Sequence, residues 1–384
     1  MIARATHHRP GARAALRACG VLSALCASVP FARASDFAAQ VMAYEPAPGQ
    51  RVQDPQYYDP ARALGPPGGG GGLLVADNSK VVTLGGFGGS ITLKFDRPVW
   101  HNRHNPKGLD LIVYGNGFYA AGDPLRRYAE CGVIEVSRDD NNNGLADDAW
   151  FLIPGTHLPT PLVRSERTWN SALLNPTWIP PGKAGTWTTS GYQLTTAPFF
   201  NGGGHLLLNT SATGAEQVFG YADLMPTLLL GDSDADGAVN DPGADAAWFY
   251  TRPDDPATVG VDPGSGGGSA VSLAWAIDPA TGVGAVLDRI DFVRITTAVD
   301  LVHPVLGEVS TEVSAVADVR PVYSADWNRS GSVTVQDIFD FLADWFSGGA
   351  ASNNREAGGA DFNSSGATTV QDIFDFLAAW FTGG

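Results

Sequence analysis

Two periods of hydrophobicity divide the chain. From about residue 40 to residue 318 the apolar positions come as short runs, among them SITLKF, LDLIVYG, GVIEVS, HLLLNT, VSLAWAI and IDFVRITTAV, with Gly, Pro, Asn and Asp between them. In SITLKF, Ile91, Leu93 and Phe95 alternate with Thr92 and Lys94, the period of a strand with one buried face. Near the end the period changes. Val335, Ile338, Phe339, Leu342, Trp345 and Phe346 fall at i, i+3, i+4, i+7, i+10 and i+11, and Val370, Ile373, Phe374, Leu377, Trp380 and Phe381 repeat those offsets. The pattern predicts a mostly-β chain: a jelly-roll-like antiparallel β-sandwich with long loops over residues 35–322, then a small all-α unit over 323–384. In that unit one apolar stripe per helix is expected to pack against the other. Phe341 and Phe376 fall off the stripes, so they either cover a neighbouring domain or dock a partner.

The two helical segments belong to a repeat. DWNRSGSVTVQDIFDFLADWFSGG corresponds position by position to DFNSSGATTVQDIFDFLAAWFTGG, each a loop followed by a helix. Asp326, Asn328, Ser330, Ser332, Thr334 and Asp337 occupy the ligand positions of a twelve-residue EF-hand-type calcium loop; Asp361, Asn363, Ser365, Ala367, Thr369 and Asp372 occupy them in the second copy. Gly331 and Gly366 stand at the sixth position, where the chain must turn sharply for the oxygens to converge. Each loop brings only two carboxylates, which predicts weaker Ca2+ binding than an acidic EF-hand.

Residues 324–384 resemble a dockerin, the duplicated calcium-loop module that plugs enzymes and binding modules into a cohesin, and VQDIFDFLAAWF is most similar to the dockerin-like C-termini of secreted planctomycete proteins. Dockerins also close the loop with Asp, as Asp337 and Asp372 do here, whereas Ser330 and Ser365 stand where the family usually has Asp. The resemblance implies a cohesin-like or other cell-envelope partner. It also implies two equivalent docking faces, Val335, Gln336 and Phe341 in one copy and Val370, Gln371 and Phe376 in the other. The central stretch, through LGGFGGSITLKFD, LIVYGNGF, VSRDDNNNGLADDAWF and IDFVRITTAV, resembles bacterial cell-surface proteins of β-sandwich character and carries no catalytic residues over.

The first residues, MIARATHHRPGARAALR, are basic and acid-free, and ACGVLSALCASVPFA followed by Ala32-Arg33-Ala34 has the form of a signal peptide cleaved after Ala34. The expected location is therefore secreted or cell-surface, with no later segment apolar enough for a transmembrane helix. Loss of residues 1–34 removes five arginines and no acid, leaving 19 of the 24 basic residues against all 40 acidic ones, a net charge of −21. Nucleic acid is excluded as a partner by that balance. Cys131 becomes the single cysteine, which rules out an intrachain disulfide and reads as a core thiol.

Two acidic stretches of the central region read as further calcium loops. GDSDADGAVND offers Asp232, Asp234, Asp236 and Asp241, and RDDNNNGLADD offers Asp139, Asn141, Asn143, Asp147 and Asp148. The bland alternative for both is a solvated Asp/Asn turn. His101 and His104, with Asp110 downstream, could hold a metal, although HNRHNPKG reads first as a polar hairpin loop. The Gly85-Gly86 and Gly88-Gly89 pairs have neither the Lys nor the helix of a phosphate loop and read as a turn. Trp169, Trp178 and Trp187 lie on a Pro/Gly-broken stretch where exposed indoles could stack on a sugar, against the alternative of core packing. These features favour an exported calcium-binding protein with a non-catalytic binding or adhesion module, carbohydrate being a candidate ligand class. A dockerin-bearing polysaccharide hydrolase, which would need two carboxylates in a cleft, and a structural envelope protein are the alternatives.

Overall fold

The computed structural model describes residues 35–68, 80–119, 126–128, 130–155, 158–194, 207–208, 227–228, 230, 246–253, 266–303, 307–328, 330–347, 359–363, 365 and 367–383. The signal-like segment and Asp232, Asp234, Asp236 and Asp241 lie outside the described residues. The principal strands are β1 (Gln40–Glu45), β2 (Ser90–Trp100), β3 (Leu111–Tyr114), β4 (Gly132–Ser137), β5 (Trp150–Ile153), β6 (Arg164–Asn170), β7 (Thr186–Tyr192), β8 (Ser269–Val271), β9 (Arg289–Thr297) and β10 (Ala315–Asp318). The C-terminal helices are α1 (Val335–Ser347) and α2 (Val370–Thr382).

A five-stranded antiparallel sheet, ordered β1-β2-β9-β4-β5, faces a three-stranded one, ordered β8-β3-β10. Register explains the core. Leu93, Val293 and Val136 lie opposite one another across β2, β9 and β4, as do Ile91, Ile295 and Ile134. They share one buried cluster with Leu111, Val113, Val271 and Val316 of the smaller sheet. The other face of that smaller sheet is covered too: Ile112, Tyr114, Ala270 and Ala317 pack with Phe249 and Tyr250. Burial on both faces is why LIVY reads as an unbroken apolar run, not as an alternating one. Cys131 lies in a third buried cluster with Val133, Leu152 and Tyr192, as a core thiol should.

The outward face of the larger sheet is polar, with Ser90, Thr92, Glu135, Arg294 and Thr296 at the positions opposite to the core set. The β6–β7 hairpin lies over part of it. Close approach is possible because two contact points lack a side chain: a Cβ on Gly88, whose φ is +80°, would stand 2.8 Å from the Ser190 nitrogen, and one on Gly191 would stand 3.1 Å from the Thr296 methyl. The glycine-rich stretch before β2 is therefore a turn that admits a neighbouring hairpin.

The stretch from Ala34 to Gly384 forms one compact unit, and the HNRHNPKG loop joins sandwich to tail. His104 is buried with its ring 4.3 Å from that of Trp327 and 5.0 Å from that of Tyr323, and the Val322 N–H donates to the His104 carbonyl at 2.9 Å. Arg103 pairs with Asp344 of α1. His101 turns the other way, its Nδ1 2.8 Å from the fully buried Asp110 carboxylate. The two imidazoles are thus spent on an ion pair and on aromatic packing, and the metal reading of this loop is set aside. The Asp110 hydrogen bond, ahead of the opposing effect of burial, raises the His101 pKa above its ordinary value. A raised histidine pKa contributes stability in full below about pH 6.5, and this contribution is lost as pH rises through the folded-state pKa. The stability difference between the wild type and His101→Asn, measured by urea denaturation, should therefore shrink from pH 6 to pH 9.

Candidate metal centres

Each C-terminal loop is closed by bonds from its own backbone. In the first, the Ser330 and Gly331 N–H groups donate to the two Asp326 carboxylate oxygens at 2.9 and 2.8 Å, and Ser330 N–H also reaches Asn328 Oδ1 at 3.0 Å. The last ligand position folds back over the entrance: Asp337 accepts from the Asn328 N–H at 3.1 Å and the Thr334 N–H at 2.7 Å. The second loop repeats the bonds of Ser330, Asn328 and Asp337 at its described residues. Ser365 N–H meets Asp361 at 2.9 Å and Asn363 at 3.0 Å, and Asp372 accepts from Asn363 N–H at 3.2 Å and Thr369 N–H at 2.6 Å. Ser330 and Ser365 hydroxyls donate to the carbonyls of Ser332 and Ala367, both at 3.2 Å, which keeps the seventh-position carbonyl inside the loop. Gly331 at φ +87° makes the turn possible.

Asp337, Asp361 and Asp372 have no solvent-exposed surface. Neither Asp337 nor Asp372 has a basic partner among the described residues. Burial pushes the Asp337 carboxyl up, but the N–H and hydroxyl donors of Thr334 and Asn328 outweigh it and hold the group below the usual carboxylate range. An ionised, buried carboxylate with neutral donors alone still has lone pairs to give and charge to neutralise. Among the described residues no three His, Cys, Asp or Glu side chains converge to hold a metal. What the loops offer instead is a mixture of two carboxylates with amide, hydroxyl and carbonyl oxygens. That donor set fits a hard cation such as Ca2+ and does not fit a thiophilic one.

Several contributors went unread in the sequence. Asp340 accepts from Asn328 Nδ2 at 2.8 Å and from Gln336 Nε2 at 2.9 Å; Asp375 does the same with Asn363 at 2.7 Å and Gln371 at 2.8 Å. These bonds hold the Asn Oδ1 toward the loop, and they hold Asp375 below the ordinary carboxylate range. The signal was present in both copies as Q-D-x-x-D. A second is the exchange of tryptophans: Trp345 Nε1 donates to the Thr369 carbonyl at 2.9 Å and Trp380 Nε1 to the Thr334 carbonyl at 2.7 Å. Each helix thus braces the other copy's loop.

The docking faces need correction. Phe341 and Phe376 are wholly buried, stacked face to face with centroids 4.2 Å apart and planes 1° from parallel, and Trp327 stands edge-on to both. Asp337 and Phe341 are four residues apart, on one helix face. Because Asp337 turns into the loop, Phe341 is carried inward with it. The buried stripe is therefore Ile338, Phe341, Leu342 and Trp345, and the rival stripe is turned out: Val335 and Val370 are each 56% exposed, Phe339 and Phe374 each 61%, and Phe346 and Phe381 73% and 77%. Val335, Gln336, Val370 and Gln371 stay on the surface as expected.

A third loop shares the signature. Asp139 accepts from Asn143 N–H at 3.0 Å and Gly144 N–H at 2.8 Å, and Asn141 Oδ1 accepts from Asn143 N–H at 2.9 Å, the same offsets as Asp326 and Asn328. Its exit differs. Asn143 Nδ2 donates to Asp147 at 3.1 Å, Asp148 accepts the Asp140 N–H at 3.1 Å, and Asp291 of β9 accepts the Asp139 N–H at 2.8 Å. Burial and the nearby Asp139 raise the Asp291 pKa. Asp291 had no motif to announce it.

The three tryptophans do not form an exposed row. Trp169 is buried, its indole N–H on the Thr189 hydroxyl at 2.9 Å and the Arg167 guanidinium 3.8 Å from its ring centre. Trp178 is half-buried in a short 3-10 turn, Pro176–Trp178, and Trp187 is half-buried on β7, opposite Trp169. Among the described residues no helix is long and apolar enough to cross a membrane. The sequence matches no family model and no curated protein.

Proposed function

We propose that this is an exported, calcium-binding surface protein: a non-catalytic binding module fixed to a cohesin-like or other envelope partner through its C-terminal pair of loops. The observation that supports this reading most strongly is the equivalence of the two loops, which repeat the same main-chain bonds and leave matched exposed residues on α1 and α2. A partner that fits Val335, Phe339 and Phe346 also fits Val370, Phe374 and Phe381.

Binding is favoured over hydrolysis at a cavity of about 270 Å³ in the sandwich, where Glu45 is the single carboxylate among the lining residues. Glycoside hydrolysis calls for two.

Calcium-dependent, saturable binding of the full chain to envelopes of the producing cell tests the docking face. Phe339→Asp or Phe374→Asp alone should cost about twofold, the loss of one of two orientations, whereas the double variant should lose binding at least 100-fold, as truncation of anchor residues does. Undiminished binding by a folded double variant would remove the helices' exposed faces from the interface.

A further inference from the structure

The cavity under the β6–β7 hairpin has the chemistry of a specific binding site. Its floor is the polar face of the larger sheet, with Arg294 and Thr296 of β9; its walls are Arg164 of β6 and Trp187 of β7; Glu45 and Lys183 stand at its rim, 3.4 Å apart. Ser90 of β2 and Thr188, Thr189 and Ser190 of β7 also line it, so hydroxyl-bearing residues surround its charged ones.

The charge is equally specific. Glu135, almost wholly buried behind the cavity, accepts from Arg164 Nη1 at 2.9 Å and from Arg294 Nε at 2.9 Å, and its other contact to Arg294 Nη2 is also 2.9 Å. One carboxylate thus serves two guanidinium groups, whose remaining N–H donors exceed what it can accept. Lys183 and Glu45 balance each other, so the cavity carries a net charge of +1 inside a strongly acidic protein. Both guanidinium groups are also held in place, Arg294 over the Trp150 ring at 4.1 Å and Arg164 over that of Tyr192 at 4.8 Å.

We infer that this cavity binds one anionic pyranose unit, its carboxylate or sulfate group on the spare N–H donors of Arg164 and Arg294, its hydroxyls on the Ser and Thr residues of the lining. The inference rests on the reading of the sandwich as a binding module and names its ligand class. A bare inorganic anion would leave most of about 270 Å³ unfilled, and a neutral sugar would leave the excess positive charge unmet. Paired arginines recognise planar and tetrahedral oxyanions through parallel N–H bonds.

The test is a titration of the full chain with methyl glycosides of glucuronic acid, galacturonic acid, 6-sulfated galactose, and neutral glucose and galactose, followed by the Trp187 indole N–H resonance. At least one anionic glycoside should shift that resonance saturably and bind tenfold or more tighter than its neutral counterpart; the carboxylate and sulfate arms then tell the two anions apart. Arg164→Gln, at the cavity wall, should weaken binding about tenfold, and Lys183→Gln, at the exposed rim, should weaken it about threefold should the arginine variant misfold. Neutral glycosides bound as tightly as anionic ones, or binding indifferent to both substitutions, would overturn the cavity assignment and leave the binding-module reading standing. Failure of every glycoside to bind would overturn the assignment together with the sugar-binding reading of the sandwich.

Discussion

Truncating either stacked phenylalanine of the tail should unfold it. Phe341→Ala or Phe376→Ala removes a wholly buried ring from a small core, and such changes cost about 3–5 kcal/mol in transfer and cavity terms. The face-to-face pair and the edge-on Trp327 add aromatic geometry worth about 0.5–1.5 kcal/mol per contact. A helical unit of this size rarely has more than about 3–5 kcal/mol to lose. The expected result is loss of the α1 and α2 circular dichroism signal at 25 °C in either single variant, with the sandwich's own transition persisting. Had these rings been docking anchors, each single variant would keep its helices and its melting temperature and lose only partner affinity; that outcome would return Phe341 and Phe376 to the surface.

Calcium is expected to have the second large effect. A ligand that binds only the folded state at 100 times its dissociation constant stabilises by about 2.7 kcal/mol per site, so two sites supply about 5 kcal/mol. The buried carboxylates of Asp337 and Asp372 identify where that energy arises: without a cation their charge is opposed only by neutral donors. Chelation should therefore lower the tail's melting temperature by more than 10 °C, and Asp337→Asn, which keeps one acceptor for the Asn328 and Thr334 N–H groups in place of two, should remove about half of the calcium-dependent gain and also lower the stability of the apo protein. The tryptophan exchange couples the copies, so removing one site should also weaken calcium at the other. A tail equally stable with calcium and with chelator would dispose of this expectation.

The sheets were legible because alternation has one solution. In SITLKF a shift of one residue would turn Ile91, Leu93 and Phe95 to water, and the structure keeps them in the core. The helices were legible as helices but not in their facing. DIFDFLADWF is apolar around too wide an arc, and two stripes one residue apart both satisfy the 3.6-residue period. What decides between them is a polar residue: Asp337 and Asp372 turn in to close the loops and take Phe341 and Phe376 with them. The tight turns of the C-terminal loops were readable from spacing alone, since main-chain turns follow sequence locally. Asp291, Glu135 and Arg294 were not, because they reach their partners through strand pairing between segments far apart in the chain. Trp187 carried the right chemistry in sequence, yet only the placement of the hairpin on the β9 face sets it beside Thr296 and the arginines.

The central claim is that the two equivalent C-terminal loops bind calcium, and a calorimetric calcium titration of the full chain beside the Asp326→Ala/Asp361→Ala double variant tests it most directly. Counting the difference between the two proteins removes any contribution from the 139–148 or 232–241 segments. The account predicts that the double variant binds two fewer equivalents than the wild type, and that each single variant binds at least one fewer. Equal stoichiometry in all four proteins would contradict it.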